Sequence, residues 1–95
     1  MEIRKTGLFL RWYASLRDAK AKAAIVRRIE CAQGGNLGDV KPVGEGVSEM
    51  RVDVGAGYRL YFTARERAIV FLLCGGGKST QAADIKTAKR LAREI

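Results

Sequence analysis

The chain of 95 residues contains no histidine, two cysteines and one proline. Without histidine, the chain cannot build Ser-His or Cys-His nucleophilic machinery or histidine-based general acid–base catalysis. Cys31 and Cys74 lack CxxC spacing and have no histidine to complete a zinc site, so we predict no metal site and no cofactor. Both thiols are expected to be free and packed in the core.

Long apolar runs are also absent, and no segment approaches the length that spans a membrane. The first seven residues, MEIRKTG, lack the apolar core of a signal peptide, so a cytoplasmic protein is expected. The hydrophobic content of 47% is typical of a folded chain rather than a disordered one. We expect residues 1–95 to form one domain, because a chain of this length supports one core of modest size.

Acidic residues are few, with 10 against 18 basic ones, and the net charge is +8. A positive field of this size on a small domain favours a nucleic acid or an acidic protein as partner. The alternative is a solvated basic surface that binds nothing. On charge alone, we favour the polyanionic partner.

Residues 48–54 and 58–63 alternate between polar and apolar side chains, the pattern of half-buried strands. Residues 55–57, Gly-Ala-Gly, suit a tight hairpin turn between them. If these three residues are the whole loop, the opposed pairs are Asp53 with Arg59, Arg51 with Tyr61, and Val52 with Leu60. The polar side chains then share one face of the sheet.

Residues 68–74 are apolar on both faces, which predicts a central strand covered on both sides. With a turn around Arg65 and Glu66, the side chains of Leu60, Phe62, Ile69, Phe71 and Leu73 share the core face. Val70 and Leu72 then lie beside Arg59 and Tyr61, and the chain itself or a partner should cover them. Gly75-Gly76-Gly77-Lys78 is predicted to be a loop. It is no P-loop, because position 72 is leucine.

Helical spacing of apolar residues predicts two N-terminal helices and one C-terminal helix. Thr6 is the expected N-cap of the first helix, and a capping box from Ser15 to Asp18 should start the second, which ends at Gly34-Gly35. Residues 2–5 and 40–43 suit short edge strands, the latter because of Pro42. Thr80 or Ser79 should cap the last helix, with Asp84 in its first turn.

The order helix, helix, strands, helix carries the segments GNLGDVKPVGEGVSEMRV, GYRLYF and LLCGGGKSTQAADI. Together they resemble the RelE/ParE superfamily of bacterial toxins, most closely its addiction-module killer proteins similar to HigB and phage Gp49. The resemblance runs from Thr6 to Leu91. It implies an α+β fold, in which an N-terminal helical hairpin packs on a mainly antiparallel, twisted sheet of three to five strands with a C-terminal helix.

This resemblance implies the toxin of a type II toxin–antitoxin system. The implied partners are an antitoxin, expected to be a small helix-turn-helix protein, and mRNA, which RelE-like and HigB-like members cleave, commonly on the ribosome. Because the chain has no histidine and no cluster of carboxylates with metal-ligand spacing, we expect any cleavage to need no metal. Arg59 matches the family's strand arginine, Lys78 lies where the family has basic residues after the last strand, and Arg51 is a third catalytic candidate. Candidate RNA-binding residues are Lys41, Tyr61 and Lys86. Glu49 is a candidate base, and Asp53 is expected to pair with Arg59.

Two positions depart from the family pattern. Position 77 is glycine, which gives GGGK where this branch usually has GGDK, and Ile85 stands near the position of RelE's C-terminal tyrosine. Three alternatives remain at this point. The chain could inhibit gyrase without catalysis, as ParE-like members do; it could bind an antitoxin without cutting RNA; or Arg51, Arg59, Glu49 and Asp53 could form only a surface ladder of ion pairs.

Overall fold

The computed structural model describes residues 1–95. Its elements in chain order are β1 (Glu2–Lys5), α1 (Gly7–Ser15), α2 (Ala19–Gln33), β2 (Val40–Gly44), β3 (Val47–Val52), β4 (Tyr58–Arg65), β5 (Ile69–Gly77), a 3₁₀ turn (Lys78–Thr80) and α3 (Gln81–Glu94). The five strands form one sheet in the order β1-β5-β4-β3-β2. Strand β1 runs parallel to β5, and all other neighbours are antiparallel. The predicted α+β fold is confirmed.

The N-terminal helices begin at side-chain caps. Thr6 accepts a hydrogen bond from the backbone N–H of Phe9 at 3.0 Å, as predicted. The predicted capping box at Ser15 is wrong, because the Ser15 hydroxyl instead donates to the carbonyl of Trp12 one turn earlier. Asp18 caps α2 by accepting from the N–H groups of Lys20 and Ala21. Helix α2 ends before Gly34, as predicted.

The sheet is covered on both faces, each by its own apolar cluster. On the face of the α1–α2 hairpin the buried members are Phe9, Ile25, Ile29, Ala32, Met50, Val52, Leu60, Phe62, Val70 and Leu72. On the face of α3 they are Val47, Tyr61, Leu73, Cys74, Ala88 and Ala92. Helix α3 is therefore the segment of the chain that covers the strand face carrying the arginines.

The register between β3 and β4 differs from the prediction by two residues. Arg51 lies opposite Arg59 and Val52 opposite Tyr58, so Asp53 does not face Arg59. Strand β3 ends at Val52, and the turn spans residues 53–57, with its own backbone hydrogen bond from Gly57 to Val54. A shift of two residues leaves every side chain on its predicted face, which is why polar–apolar alternation alone could not exclude it.

The register between β4 and β5 corrects a second prediction. Arg65 pairs with Ile69, so the connection consists of residues 66–68, with φ angles of +56° at Glu66 and +57° at Arg67. A turn at Arg65 and Glu66 would have paired Ala64 with Arg67, whereas Ala64 pairs with Val70, a displacement of three residues. A β-bulge then separates Tyr61 from Phe62, and Phe62 lies opposite Leu72. Because this shift is not an even number of residues, side chains change face. Val70 and Leu72 join Leu60 and Phe62 against the helical hairpin, whereas Leu73 and Phe71 pack on the side of α3.

The glycine run after Cys74 is strand rather than the predicted loop. Gly75 pairs with Leu60 and Gly76 with Arg59, so β5 continues to Gly77. A Cβ at position 75 would overlap the ring of Trp12, and one at position 76 would overlap the carboxylate of Asp84. The glycines thus allow α1 and α3 to approach the strand backbone directly.

Both cysteines are free thiols, but only Cys74 lies in the core. Cys31 is exposed on the outer side of α2, so its predicted burial is wrong. Burial, together with a smaller contribution from the nearby Asp84 carboxylate, raises the pKa of Cys74 to about 12. None of the helices combines the length and apolarity needed to cross a membrane.

Candidate functional site

Arg51 and Arg59 are direct neighbours across the central β3–β4 pair. Two like charges at opposed positions repel each other, so a counter-charge is needed to hold them together. That charge comes from Glu49, two residues before Arg51 on the same face, whose residue surface is only 1% exposed. The period of a strand therefore places Glu49 beside both arginines.

The Glu49 carboxylate binds groups from three elements. Arg51 Nε donates to Oε1 at 3.3 Å, and Gln81 Nε2, from the first turn of α3, donates to Oε2 at 3.4 Å. Arg59 Nε lies 3.1 Å from Oε2, close enough for an ion pair, but it makes no hydrogen bond. Glu49 thus connects the two arginines to α3. With two cations and one anion, the cluster keeps an excess positive charge.

The two arginines differ in how much solvent they reach. The Arg51 side chain is 39% exposed and that of Arg59 is 16% exposed. For Arg59, Nε is the nitrogen that is both buried and without a hydrogen-bond partner. Its Nη groups make no hydrogen bond within the chain and keep contact with solvent. An anion approaching this face can therefore be met by N–H donors that no protein group occupies.

Tyr61 lies opposite Glu49 on the neighbouring strand and is completely buried. Its hydroxyl has no hydrogen-bond partner. The pKa of Tyr61 is raised to about 12, chiefly by burial. The carboxylates of Glu49 and Asp84 contribute to this rise, and Arg59 opposes it. This burial argues against the predicted contact between Tyr61 and a nucleotide. The ring of Tyr61 instead packs in the apolar cluster between the sheet and α3.

The three candidate lysines lie on three different elements of the fold. Lys78 begins the 3₁₀ turn, is exposed, and runs beside Gly57, where a Cβ would lie 3.0 Å from its Cε. This position is two residues beyond Gly76, the partner of Arg59. Lys41 lies opposite Glu49 on edge strand β2 and is also exposed. Lys86 is exposed on α3 and makes no ion pair or hydrogen bond with the other candidates.

The predicted roles of two carboxylates change. Glu49 is buried and both of its oxygens are engaged, so it is not placed to take a proton from a bound substrate. Asp53 forms no ion pair with Arg59 because the turn carries it beyond the end of β3. No group of three or more His, Cys, Asp or Glu side chains has the arrangement of a metal site.

Comparison with known proteins identifies the family. The model of the phage-derived Gp49-like protein family (DUF891) matches residues 13–94. This chain belongs to that family. A Haemophilus influenzae protein described as uncharacterized is 47% identical over 95 residues, which is all of this chain and 96% of the relative.

The fold of this Gp49-like protein is also that of a known toxin. A free-state structure of an Escherichia coli RelE toxin mutant superimposes with a TM-score of 0.71 and covers 99% of this chain and 97% of RelE. Sequence identity is 15%, so the similarity concerns the fold. The family match confirms the predicted resemblance to phage Gp49-like proteins, and the structural match confirms that the chain has the fold of RelE.

Two family positions acquire a structural context in this Gp49-like protein. A Cβ at Gly77 would meet no atom closer than the Gly57 carbonyl at 3.9 Å, so a side chain could begin there without a clash. Ile85 packs in the apolar cluster beneath α3 and offers no polar group to the site.

The positions of two further residues near the arginine pair could not be predicted from the sequence. Gln81 reaches Glu49 only because α3 folds back over the sheet, a contact of 32 residues' separation. Asp84 approaches Gly76 for the same reason. The position of Glu49 two residues before Arg51 was a usable signal, because alternation places both on one face.

Proposed function

We propose that this protein is the toxin of a type II toxin–antitoxin system and acts as a metal-independent endoribonuclease that cleaves mRNA and thereby blocks translation. Family membership and fold support the toxin assignment. The observation that supports phosphate chemistry is the Arg51–Arg59 pair, held by buried Glu49 beside the exposed Lys78.

The proposed reaction is attack by the 2′-hydroxyl of the RNA on the adjacent phosphorus. The 2′-oxygen forms a bond to phosphorus, the bond from phosphorus to the 5′-oxygen breaks, and the products are a 2′,3′-cyclic phosphate and a 5′-hydroxyl. Solvent water takes up the 2′-hydroxyl proton and supplies the proton that the departing 5′-oxygen gains. Negative charge accumulates on the non-bridging oxygens, and fixed cations stabilise it most when they are already oriented.

The arginine pair suits this requirement because its orientation is set before substrate binds. Arg59 is held by Glu49 through Nε, which leaves the Nη groups to bind two phosphate oxygens. Arg51 and Lys78 extend the positive surface on either side. These three residues are assigned to charge stabilisation, and Lys41 and Lys86 to contacts with the RNA backbone.

The deciding test is the chemistry of the cut ends. The purified protein is incubated with translating ribosomes and a defined mRNA, and the cleavage products are analysed by mass spectrometry. We expect 2′,3′-cyclic phosphate or its 3′-phosphate hydrolysis product. A 3′-hydroxyl at the cut would contradict attack by the 2′-hydroxyl. Intact mRNA together with loss of gyrase supercoiling would favour the ParE-like activity, and intact mRNA with active gyrase would favour a toxin that binds only its antitoxin.

Variants separate the site from the fold. Arg59→Ala and Lys78→Ala should each reduce cleavage while keeping a cooperative thermal transition. Arg59→Lys should recover only part of the activity, because lysine keeps the charge but loses the two-pronged geometry. Leu60→Ala is the contrasting control: Leu60 is fully buried, and its truncation should cost about 2–5 kcal/mol and reduce activity through unfolding. Full cleavage by folded Arg59→Ala protein would remove Arg59 from the site.

A further inference from the structure

A cavity of about 380 Å³ lies between α2 and the end of β3, lined by none of the arginine pair, Glu49 or Lys78. Its apolar lining comes from Ala23 and Ala24 of α2 and from Val52 and Val54 of the sheet side. The volume is near the lower end of the roughly 300–1,000 Å³ found for ligand clefts. We call this cavity the α2 groove.

Positive charge dominates the remaining lining of the α2 groove. Lys20, Arg27 and Arg28 contribute three cations, and Asp53 contributes one anion. Arg28 is committed to the fold, because its guanidinium donates to the carbonyls of Arg51, Leu37 and Asp39. Lys20 and Arg27 are exposed and take part in no ion pair of the chain. Two cations beside an apolar surface are therefore free to bind an anionic partner.

The composition of the lining distinguishes between RNA and protein as occupants. Single-stranded RNA is held by aromatic rings that stack on its bases and by continuous positive charge. The α2 groove contains no aromatic ring, and Asp53 and the apolar side chains interrupt the positive charge that a continuous phosphate backbone would need. Aliphatic side chains bordered by carboxylates fit the alanines and valines and the free cations.

We propose that the α2 groove is a docking surface for an acidic, amphipathic segment of a partner protein. Aliphatic side chains of the segment pack on Ala23, Ala24, Val52 and Val54, and its carboxylates pair with Lys20 and Arg27. Charge complementarity carries this choice of occupant. Docking requires no catalysis, so the proposal stands or falls independently of RNA cleavage.

A random peptide library displayed on phage provides the probe. The full-length protein is immobilised, bound phage are selected, and enriched peptides are synthesised with a fluorophore for anisotropy measurements. We expect enriched sequences to combine acidic and aliphatic residues. Arg27→Glu should weaken their binding by at least about tenfold, because like charges then face each other. Ala23→Phe should weaken it too, by filling the groove without changing net charge.

Lys22→Glu is the matched control, since it makes the same change of charge on the same helix. Lys22 does not line the groove, and its ammonium lies over the ring of Tyr13 instead. Binding to this variant should change by less than about twofold. Equal losses for Arg27→Glu and Lys22→Glu would reduce the effect to net charge and overturn the proposal. A selection that enriches no acidic peptides would also overturn the proposal. If an oligouridine competes with the peptides for the wild-type protein, and Arg27→Glu abolishes this competition, the groove is an RNA site instead.

Discussion

Glu49→Gln tests whether the buried carboxylate holds the arginine pair together. The substitution keeps the shape of the side chain and removes its charge, leaving Arg51 and Arg59 opposed without a counter-ion. Breaking a buried ion pair typically costs about 3–5 kcal/mol. The cost here should be lower, about 2–3 kcal/mol, because Arg51 is 39% exposed and the amide oxygen still accepts hydrogen bonds.

For a domain of this size, that loss corresponds to a decrease in Tm of about 10–20 °C. Circular dichroism during heating at neutral pH measures it directly. Glu45→Gln is the matched control, because Glu45 also contacts two cations, Arg93 at 3.0 Å and Lys89 at 3.6 Å, but its side chain is 54% exposed. A solvent-exposed cluster contributes less than about 1 kcal/mol. Equal melting temperatures for the two variants would contradict the claim that the buried Glu49 carboxylate stabilises the fold more than the exposed Glu45 carboxylate does.

Three further predictions concern a buried tyrosine, the two thiols and the glycines of β5. Folding raises the pKa of Tyr61 from 10.0 to about 12, so between pH 10 and 12 the unfolded chain loses this proton before the folded chain does. Thermal melts in this range should therefore show the free energy of unfolding decreasing as the pH rises, and Tyr61→Phe should reduce the decrease. Cys31 should react with a thiol reagent at neutral pH, whereas the buried, high-pKa Cys74 should react only on unfolding, and equal rates would contradict this placement. Gly75→Ala should destabilise the protein strongly in urea unfolding because of the Trp12 ring, whereas Gly77→Ala should be close to neutral.

Most of the architecture could be predicted from periodicity and caps. The spacing of apolar residues in α2 and α3 and the cap at Thr6 are local properties, and each is determined by residues within one or two turns. Register was less accessible. The alternation in β3 and β4 tolerates a shift of two residues, and in β5, which is apolar on both faces, no alternation could reveal the bulge opposite Tyr61.

The site was predictable only where strands determine it. Arg51, Arg59 and Glu49 share a face because residues two apart along a strand do. The burial of Tyr61 was not predictable in this way, since it depends on how α3 lies over the sheet. The exposure of Cys31 similarly depends on which flank of α2 turns outward.

The glycines of β5 have a consequence for how the protein can vary. At Gly75 and Gly76 the Trp12 ring and the Asp84 carboxylate are separated by little more than one strand of backbone. Side chains normally lie between a helix and the backbone of a sheet, and a change of their rotamers can take up part of a displacement of the helix. At Gly75 and Gly76 no side chain lies between the strand backbone and these helices, so a displacement of α1 should move the strand and, through it, α3. Substitutions on the two outer surfaces of the protein should therefore be interdependent at this level of the sheet, although their side chains never meet.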